Sequence, residues 1–582
     1  MAKYDLLLRG GTIVDGTGKD RFVADVAIKN GLIAKIGEID SESAVESIDV
    51  RGQIVAPGII DVHTHYDVQL HWDPYLTPSG WHGTTTALLG NCGHGLAPCK
   101  PEMRERYMRM LENTEQIQYE PMRKALSWSW ESFPEFLAHL KAQPKGVNIA
   151  SLVPLNPLLS YVIGPDESKT RPATTAERKR MRELLNEAMD AGASGFGFSY
   201  LGAKGNSHVD YDGTAMPCDV MAEEEAYNLC DVLRERGEGL IQVLCELPGG
   251  IVRRDLAEEL ARRSTRPVLH TVMMSVEGSP EIHRGIMRWL DDAASRGLSV
   301  YSHAMTARHW QEFVAIDYNV WDVYPEFREL SSAKTVAEKL AIIRDPARRA
   351  RIRNSYNAQD MAGQTGLDLE RLILIDAKAA PTFARYKDYQ LKDIAADLKR
   401  PITDTLFDIL IETEMLAQFC FEDSGGCNAE YATEMLSSKR TLPGVSDGGA
   451  HNKFFSGGHW STDMIIWLVR EEKKFTLEQM HQLLNGRTVE VFGLKNRGLL
   501  VEGQAADIIV YNYDNLSFQR KRYVVLNDLP EGGWRRATQV EGMRYVVVNG
   551  EVTFVDGKCT GATPGAVVSN TGREAALSSA AA

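Results

Sequence analysis

No apolar run in this chain approaches the roughly 18 residues that a membrane-spanning helix needs, so a membrane is not expected as a partner. Basic side chains are the minority, 65 Lys and Arg against 79 Asp and Glu, for a formal charge of −14. That balance argues against nucleic acid or an anionic lipid surface. It leaves a small anionic ligand open, because a local cation overrides a distant field. Cysteine is scarce, eight in 582 residues and without framework spacing. A disulfide scaffold is therefore excluded, and reduced thiols in a cytoplasmic chain are expected. Met1-Ala2-Lys3-Tyr4-Asp5 leads straight into a strand pattern, with no signal-peptide core.

What is present is enough residues for more than one domain and a large core. Residues 5–56 read as short strands separated by Gly10-Gly11, Asp15-Gly16 and Asn30-Gly31, the last a type I′ hairpin signal. From Pro57 apolar strands alternate with amphipathic helices, the grammar of parallel β/α units. We read strands near 59–65, 84–90, 147–153, 193–199, 239–245, 267–274, 298–304 and 443–447, with helices such as 177–191 and 222–236 between them. The expected class is α/β, a TIM-like (β/α)8 barrel. Strand grammar returns after residue 495, so residues 1–57 and 496–567 are expected to form one small β-sandwich and 58–495 the barrel. Residues 305–442 exceed a loop and read as an inserted subdomain carrying Trp310, Trp321 and Tyr324; 100–146 is a shorter excursion with Trp128 and Trp130. Such aromatics either shape a substrate pocket or simply pack. Residues 568–582 read as a disordered tail.

The chemistry gathers at strand ends. In Pro57-Gly58-Ile59-Ile60-Asp61-Val62-His63-Thr64-His65, strand alternation puts Asp61, His63 and His65 on one face. The two imidazoles are then about 6–7 Å apart along the strand and can share one metal. His-x-His alone is weak evidence among fourteen histidines. The second strand, however, runs into Asn91-Cys92-Gly93-His94 and the eighth into Ser446-Asp447-Gly448-Gly449-Ala450-His451. Barrel active sites lie at those strand ends. Cys92 is either a ligand or a buried small apolar side chain, and Asp447 either a ligand or an Asx-turn before two glycines. Two imidazoles, a thiolate and a carboxylate at one mouth suit zinc better than magnesium or calcium.

Ile13-Val14-Asp15-Gly16-Thr17-Gly18, then Ala56-Pro57-Gly58 with Asp61-x-His63-x-His65, resembles the amidohydrolase superfamily. Gly90-Asn91-Cys92-Gly93 and Ser446-Asp447-Gly448-Gly449-Ala450-His451 narrow the resemblance to its N-acyl-D-amino-acid deacylase (D-aminoacylase) branch, over roughly residues 4–565. The resemblance implies a metal-dependent hydrolase of amide bonds, with Zn2+ as cofactor and a small acylated molecule as substrate. It implies one metal on His63, His65 and Asp447, with Cys92 in place of a bridging carboxylated lysine, and Asp447 moving the proton of the attacking water. A homo-oligomer is expected.

The chain departs from that pattern after strand five, where the branch carries a ligand histidine and this sequence reads Leu240-Ile241-Gln242-Val243-Leu244-Cys245-Glu246. His270, early in strand six, is either a second-metal ligand or a core histidine. Tyr200 and His208 after strand four, and His303, Arg308 and His309 after strand seven, are either substrate-binding groups or loop residues. Arg308 or Lys204 would meet a substrate carboxylate. The alternative function is hydrolysis of a cyclic amide, imide or lactone. Cyclic-amide members of the superfamily use a lysine at the end of strand four, and Ala193–Ser199 has none. A non-catalytic scaffold is the third reading.

Overall fold

The computed structural model describes residues 3–40, 43–203, 209–247, 251–316, 327, 329–330, 333, 335–357, 369–378, 380–422 and 426–570. The chain is α/β. Both ends of the described chain meet in one nine-stranded sheet, because Ile54–Pro57 pairs parallel with Tyr4–Ile13 and antiparallel with Ile508–Tyr511. Hydrogen bonding thus runs unbroken from the N-terminal strands to the C-terminal ones. One face encloses Leu6, Leu8, Val26, Ile28, Val55, Ile508 and Val547. The other face, including Ala56, Ile509 and Val546, packs on Trp460, Trp467 and their helices. Asn30 and Gly31 both take left-handed φ, 52° and 76°, and close the Lys29↔Leu32 hairpin. Those angles are what a type I′ turn demands.

Two parallel arcs make up the centre. Ile59–Asp61, Thr84–Leu89 and Asn148–Ser151 form one. Val153–Pro154, Gly195–Ser199, Leu240–Leu244, Val268–Met273, Val300–Met305 and Thr441–Gly444 form the other. They abut at both edges: Ser194, leading into Gly195–Ser199, donates its N–H to Ser151 O of the first arc at 2.8 Å, and Thr64 bridges Gly448 in parallel. The first strand ends at Asp61, earlier than the alternation predicts. His63 and His65 follow it on an irregular extended stretch.

The helix Thr175–Ala191 shows why local sequence suffices for such elements. Thr174 and Glu177 form a capping box, Gly192 ends the helix at φ 114°, and Met181, Leu184, Leu185 and Ala188 face the core. Within the large insertion, Trp310–Val314, Ile373–Asp376 and Gln418–Glu422 form an antiparallel sheet over its own core. Trp310 stacks on Tyr523 with ring centroids 4.6 Å apart; Trp321 and Tyr324 lie outside the described residues. In the shorter excursion Trp128 and Trp130 pack on each other, and Trp130 donates to Leu96 O.

The expected disordered tail needs a correction at its start. Val568 is buried among Ile60, Val62, Leu240, Leu269 and Leu442, so it helps to fill the interior between the arcs. Asn570 donates to Ser194 O and Phe492 O. Residues 571–582 lie outside the described residues.

Candidate metal centre

The His63–His65 stretch is stitched to both of its neighbours. Thr64 Oγ1 donates to Leu88 O, and Asn91 Nδ2 donates to Thr64 O and Leu88 O. On the other side Ser446 Oγ donates to His63 O, and His65 N–H donates to Gly448 O. Asp61 accepts from the His63 N–H and from Trp460 Nε1. Burial pushes its carboxyl up to about 6, against the lowering effect of those donors and Ser446. Gly449 permits the approach of the eighth-strand loop: a Cβ there would lie 2.6 Å from His65 O, and its φ is 95°. Gly449 therefore serves close backbone contact, while a Cβ at Gly448 would meet the Tyr66 ring at 2.6 Å.

Four donors converge. Ligand atoms of His63, His65 and Cys92 all lie within 4.8 Å of one another. Cys92 Sγ is 3.7 Å from His63 Nε2. Asp447 Oδ1 is 3.2 Å from His63 Nε2 and 3.7 Å from His65 Nε2. A tetrahedral zinc with ordinary bond lengths has ligand–ligand edges of about 3.3–3.8 Å. The Cys92–His63, Asp447–His63 and Asp447–His65 separations lie near those edges, and the N, N, S, O donor set fits a borderline-soft cation. His63 Nδ1 is buried and has no hydrogen-bond partner among the described residues.

The electrostatics run the same way. Burial raises the Asp447 carboxyl, but the His63 hydrogen bond and the charges of His63, His65 and His451 outweigh it and hold it well below the usual range. Burial first, then the charges of Glu115, Asp447 and Cys218, push the Cys92 thiol well above its ordinary value. A cation beside Sγ is what would release that proton. Cys92 sits at φ 53°, left-handed for a non-glycine residue. Its N–H donates to Gln242 Oε1 at 2.7 Å, and Gln242 Nε2 donates to Thr271 Oγ1.

The remaining expected residues divide. His303 reaches the centre: it is buried, with its ring 5.8 Å from that of His63 in an edge-on contact. Burial and the His63 charge keep it neutral, well below the usual histidine range. His270 does not reach it. Leu269 points into the apolar interior between the arcs, so strand alternation turns His270 outward. There it bonds Ser302 Oγ at 2.9 Å and lies edge-on to Trp289 at 5.7 Å. Thr271, beside Gln242, takes the inward position instead.

Arg308 also needs correcting as a substrate-carboxylate partner. Its guanidinium bonds Asp463, whose side chain is fully buried, and Glu471, and it covers the Trp467 ring. His309 is buried against His459 and Phe455. Tyr200 lies under the Arg253 guanidinium, itself held by Glu223 and Asp255. His208 and Lys204 lie outside the described residues.

Three residues near the centre escaped the sequence reading as site residues. Glu115, from the shorter excursion, is a buried carboxylate with Oε1 3.4 Å from His94 Nε2 and 3.8 Å from His65 Nδ1. Burial first, then Asp447 and Asp67, raise it well above the usual carboxylate value. Gln242, in strand five, anchors the Cys92 backbone through its side-chain amide. His94, two residues beyond Cys92, was the one available signal; Glu115 had none.

Among known proteins, an uncharacterized protein of Mycobacterium tuberculosis (strain ATCC 25618 / H37Rv) is 33% identical over 241 residues, 40% of this chain and 39% of that protein. An N-acyl-D-aspartate deacylase of Alcaligenes xylosoxydans xylosoxydans is 25% identical over 97% of this chain and 95% of its own. A solved D-aminoacylase with a binuclear metal centre superposes with a TM-score of 0.64 at 22% identity, covering 97% of this chain and all of that one. An N-acyl-D-glutamate deacylase of Bordetella bronchiseptica, solved with zinc and a phosphonate inhibitor, gives 0.63 at 22% identity over 97% of this chain and 99% of its own. At those identities the structural likeness shows a shared fold. A sequence model of the amidohydrolase family matches residues 46–229 and 405–554, more than half of the chain. Its first segment holds His63, His65 and Cys92 and its second holds Asp447, and on that match the chain belongs to the amidohydrolase family.

Proposed function

We propose that this protein is a zinc-dependent hydrolase that cleaves the amide bond of N-acyl-D-amino acids or closely related acylated small molecules. The observation that carries the reading is the meeting of His63, His65 and Cys92, with ligand atoms within 4.8 Å of one another, and of Asp447 beside both imidazoles. The near full-length likeness to a deacylase of N-acyl-D-aspartate supports the substrate class. The two arcs, abutting at both edges, support one closed (β/α)8 barrel over 58–495 with the insertion at about 305–442, and the terminal strands of 1–57 and 496–567 a separate β domain.

When bound, zinc would make water acidic near neutral pH and polarise the scissile carbonyl. Asp447 is the proton carrier in this reading. Its Oδ1 faces the two imidazoles, and we assign Oδ2 to taking the proton of the attacking water and returning it to the departing nitrogen. His303, neutral and buried against His63, supplies a donor to the developing oxyanion. With Gln242 and Thr271 at the inward positions of strands five and six, one metal is favoured over two. Eight free cysteines, six of them buried, support a reducing, cytoplasmic setting, and we expect a homo-oligomer.

The test is metal analysis of the purified chain together with amine release from a panel of N-acyl-D- and N-acyl-L-amino acids, cyclic amides and lactones. Zinc near one per chain and turnover confined to N-acyl-D-amino acids is the expected result. A zinc-loaded chain that opens lactones or cyclic amides and leaves acyl amino acids intact overturns it.

A further inference from the structure

We propose that Glu115 is a positioning residue that presents His65 to the metal. The inference rests on the metal-centre reading above and adds a residue outside the ligand set. His65 lies between two carboxylates, one at each ring nitrogen: Nε2 is 3.7 Å from Asp447 Oδ1 and Nδ1 is 3.8 Å from Glu115 Oε1. A neutral imidazole carries one proton. A proton on Nδ1, toward Glu115, leaves the Nε2 lone pair directed at the ligand cluster. The other tautomer puts the proton where the metal must sit. Glu115 therefore selects the ligating tautomer and, as an acceptor from Nδ1–H, makes Nε2 the stronger base. At 3.8 Å the contact is longer than a formed hydrogen bond; a metal on Nε2 would make Nδ1–H a stronger donor toward Oε1.

Two further imidazoles lie beside the carboxylate. His94 Nε2 lies 3.4 Å from the same Oε1, and His451 Nε2 3.9 Å from Oε2. The His451 N–H donates to the Glu115 carbonyl at 2.7 Å. Glu115 follows the helix Arg104–Thr114, so the excursion reaches the His65 stretch and the Asp447–His451 loop through one side chain. That side chain is 1% exposed, which leaves no bulk water to take over its role.

The experiment uses the full chain. Zinc affinity is read by chelator competition, the coordination of bound Co2+ by its visible spectrum, and the fold by thermal unfolding of the metal-free protein. Glu115→Gln keeps the volume and replaces one carboxyl oxygen by an amide NH2 donor. Zinc binding about 10–100-fold weaker, the usual penalty for losing such a partner, with an altered Co2+ spectrum and an unchanged metal-free Tm, is the expected result. His94→Ala, which leaves Glu115 beside His65, should stay within about threefold of the parent. Glu115→Gln with zinc affinity within twofold of the parent overturns the proposal. So does loss of cooperative unfolding in that isosteric variant, which would make Glu115 a folding element, and so does a His94→Ala loss as large as that of Glu115→Gln. A parent that binds zinc but cleaves no acyl amino acid sinks the hydrolase reading alone and leaves the role of Glu115 to the affinity result.

Discussion

Asp447 Oδ1 stands 3.2 Å from His63 Nε2, although one residue follows the first strand of the parallel arcs and the other the last. The contact depends on Gly449, which lets the loop lie against the His65 backbone, on Gly448, which leaves room for the Tyr66 ring, and on Ser446, which holds the His63 carbonyl.

Asp447→Asn should keep the fold and lose about 10²–10⁴-fold in kcat/KM, the range associated with a positioned proton carrier. Steady-state kinetics beside a thermal melt decide the matter. Activity within tenfold of the parent would remove Asp447 from the proton path.

Cys92→Ser should lower bound zinc while leaving Gln242 its backbone contact, since the Cys92 N–H, not the side chain, donates to Oε1. Metal stoichiometry by elemental analysis is the measurement. Unchanged zinc content would make Cys92 a packing residue.

Arg308→Ala should act on stability and not on substrate binding. Asp463 is fully buried and would be left without its guanidinium, a loss of about 3–5 kcal/mol by the usual cost of breaking such a pair. Denaturant unfolding should show the loss, and KM of the folded enzyme should stay within about twofold. A large rise in KM with unaltered stability would restore Arg308 to the substrate.

Asp219 offers a pH test away from the metal ligands. Burial pushes its carboxyl up to about 7, against hydrogen bonds from Ser199 and Leu201. Its folded value thus exceeds the unfolded one, near 4, so between those two pH values the folded state binds the extra proton. Its contribution to stability is full below about pH 4 and declines as the pH rises to about 7, by up to about 4 kcal/mol. Asp219→Asn should flatten that decline. Parallel stability–pH curves for variant and parent would contradict the assignment.

Legibility in the sequence followed the range of the interaction that decides each feature. The helix Thr175–Ala191 was readable because its cap, its apolar stripe and its terminal glycine are all local. The Asn30-Gly31 turn was readable for the same reason. His270 was not, because its direction depends on the parity of a strand whose first inward residue, Leu269, is identified only by its neighbours. Arg308 looked available because its partner Asp463 lies in a distant helix. Glu115 belongs to no motif at all, and only the path of residues 100–146 brings it to His65.

The sequence by itself determined which chemistry was on offer: two imidazoles at i and i+2, a thiol and a carboxylate, each beside turn-forming residues at a strand end. Tertiary structure decided which of the many charged and imidazole groups face that centre and which are consumed elsewhere. The physical reason is that residue type and alternation are local properties, whereas ligation, ion pairing and tautomer choice depend on distances between strands and loops far apart in the chain.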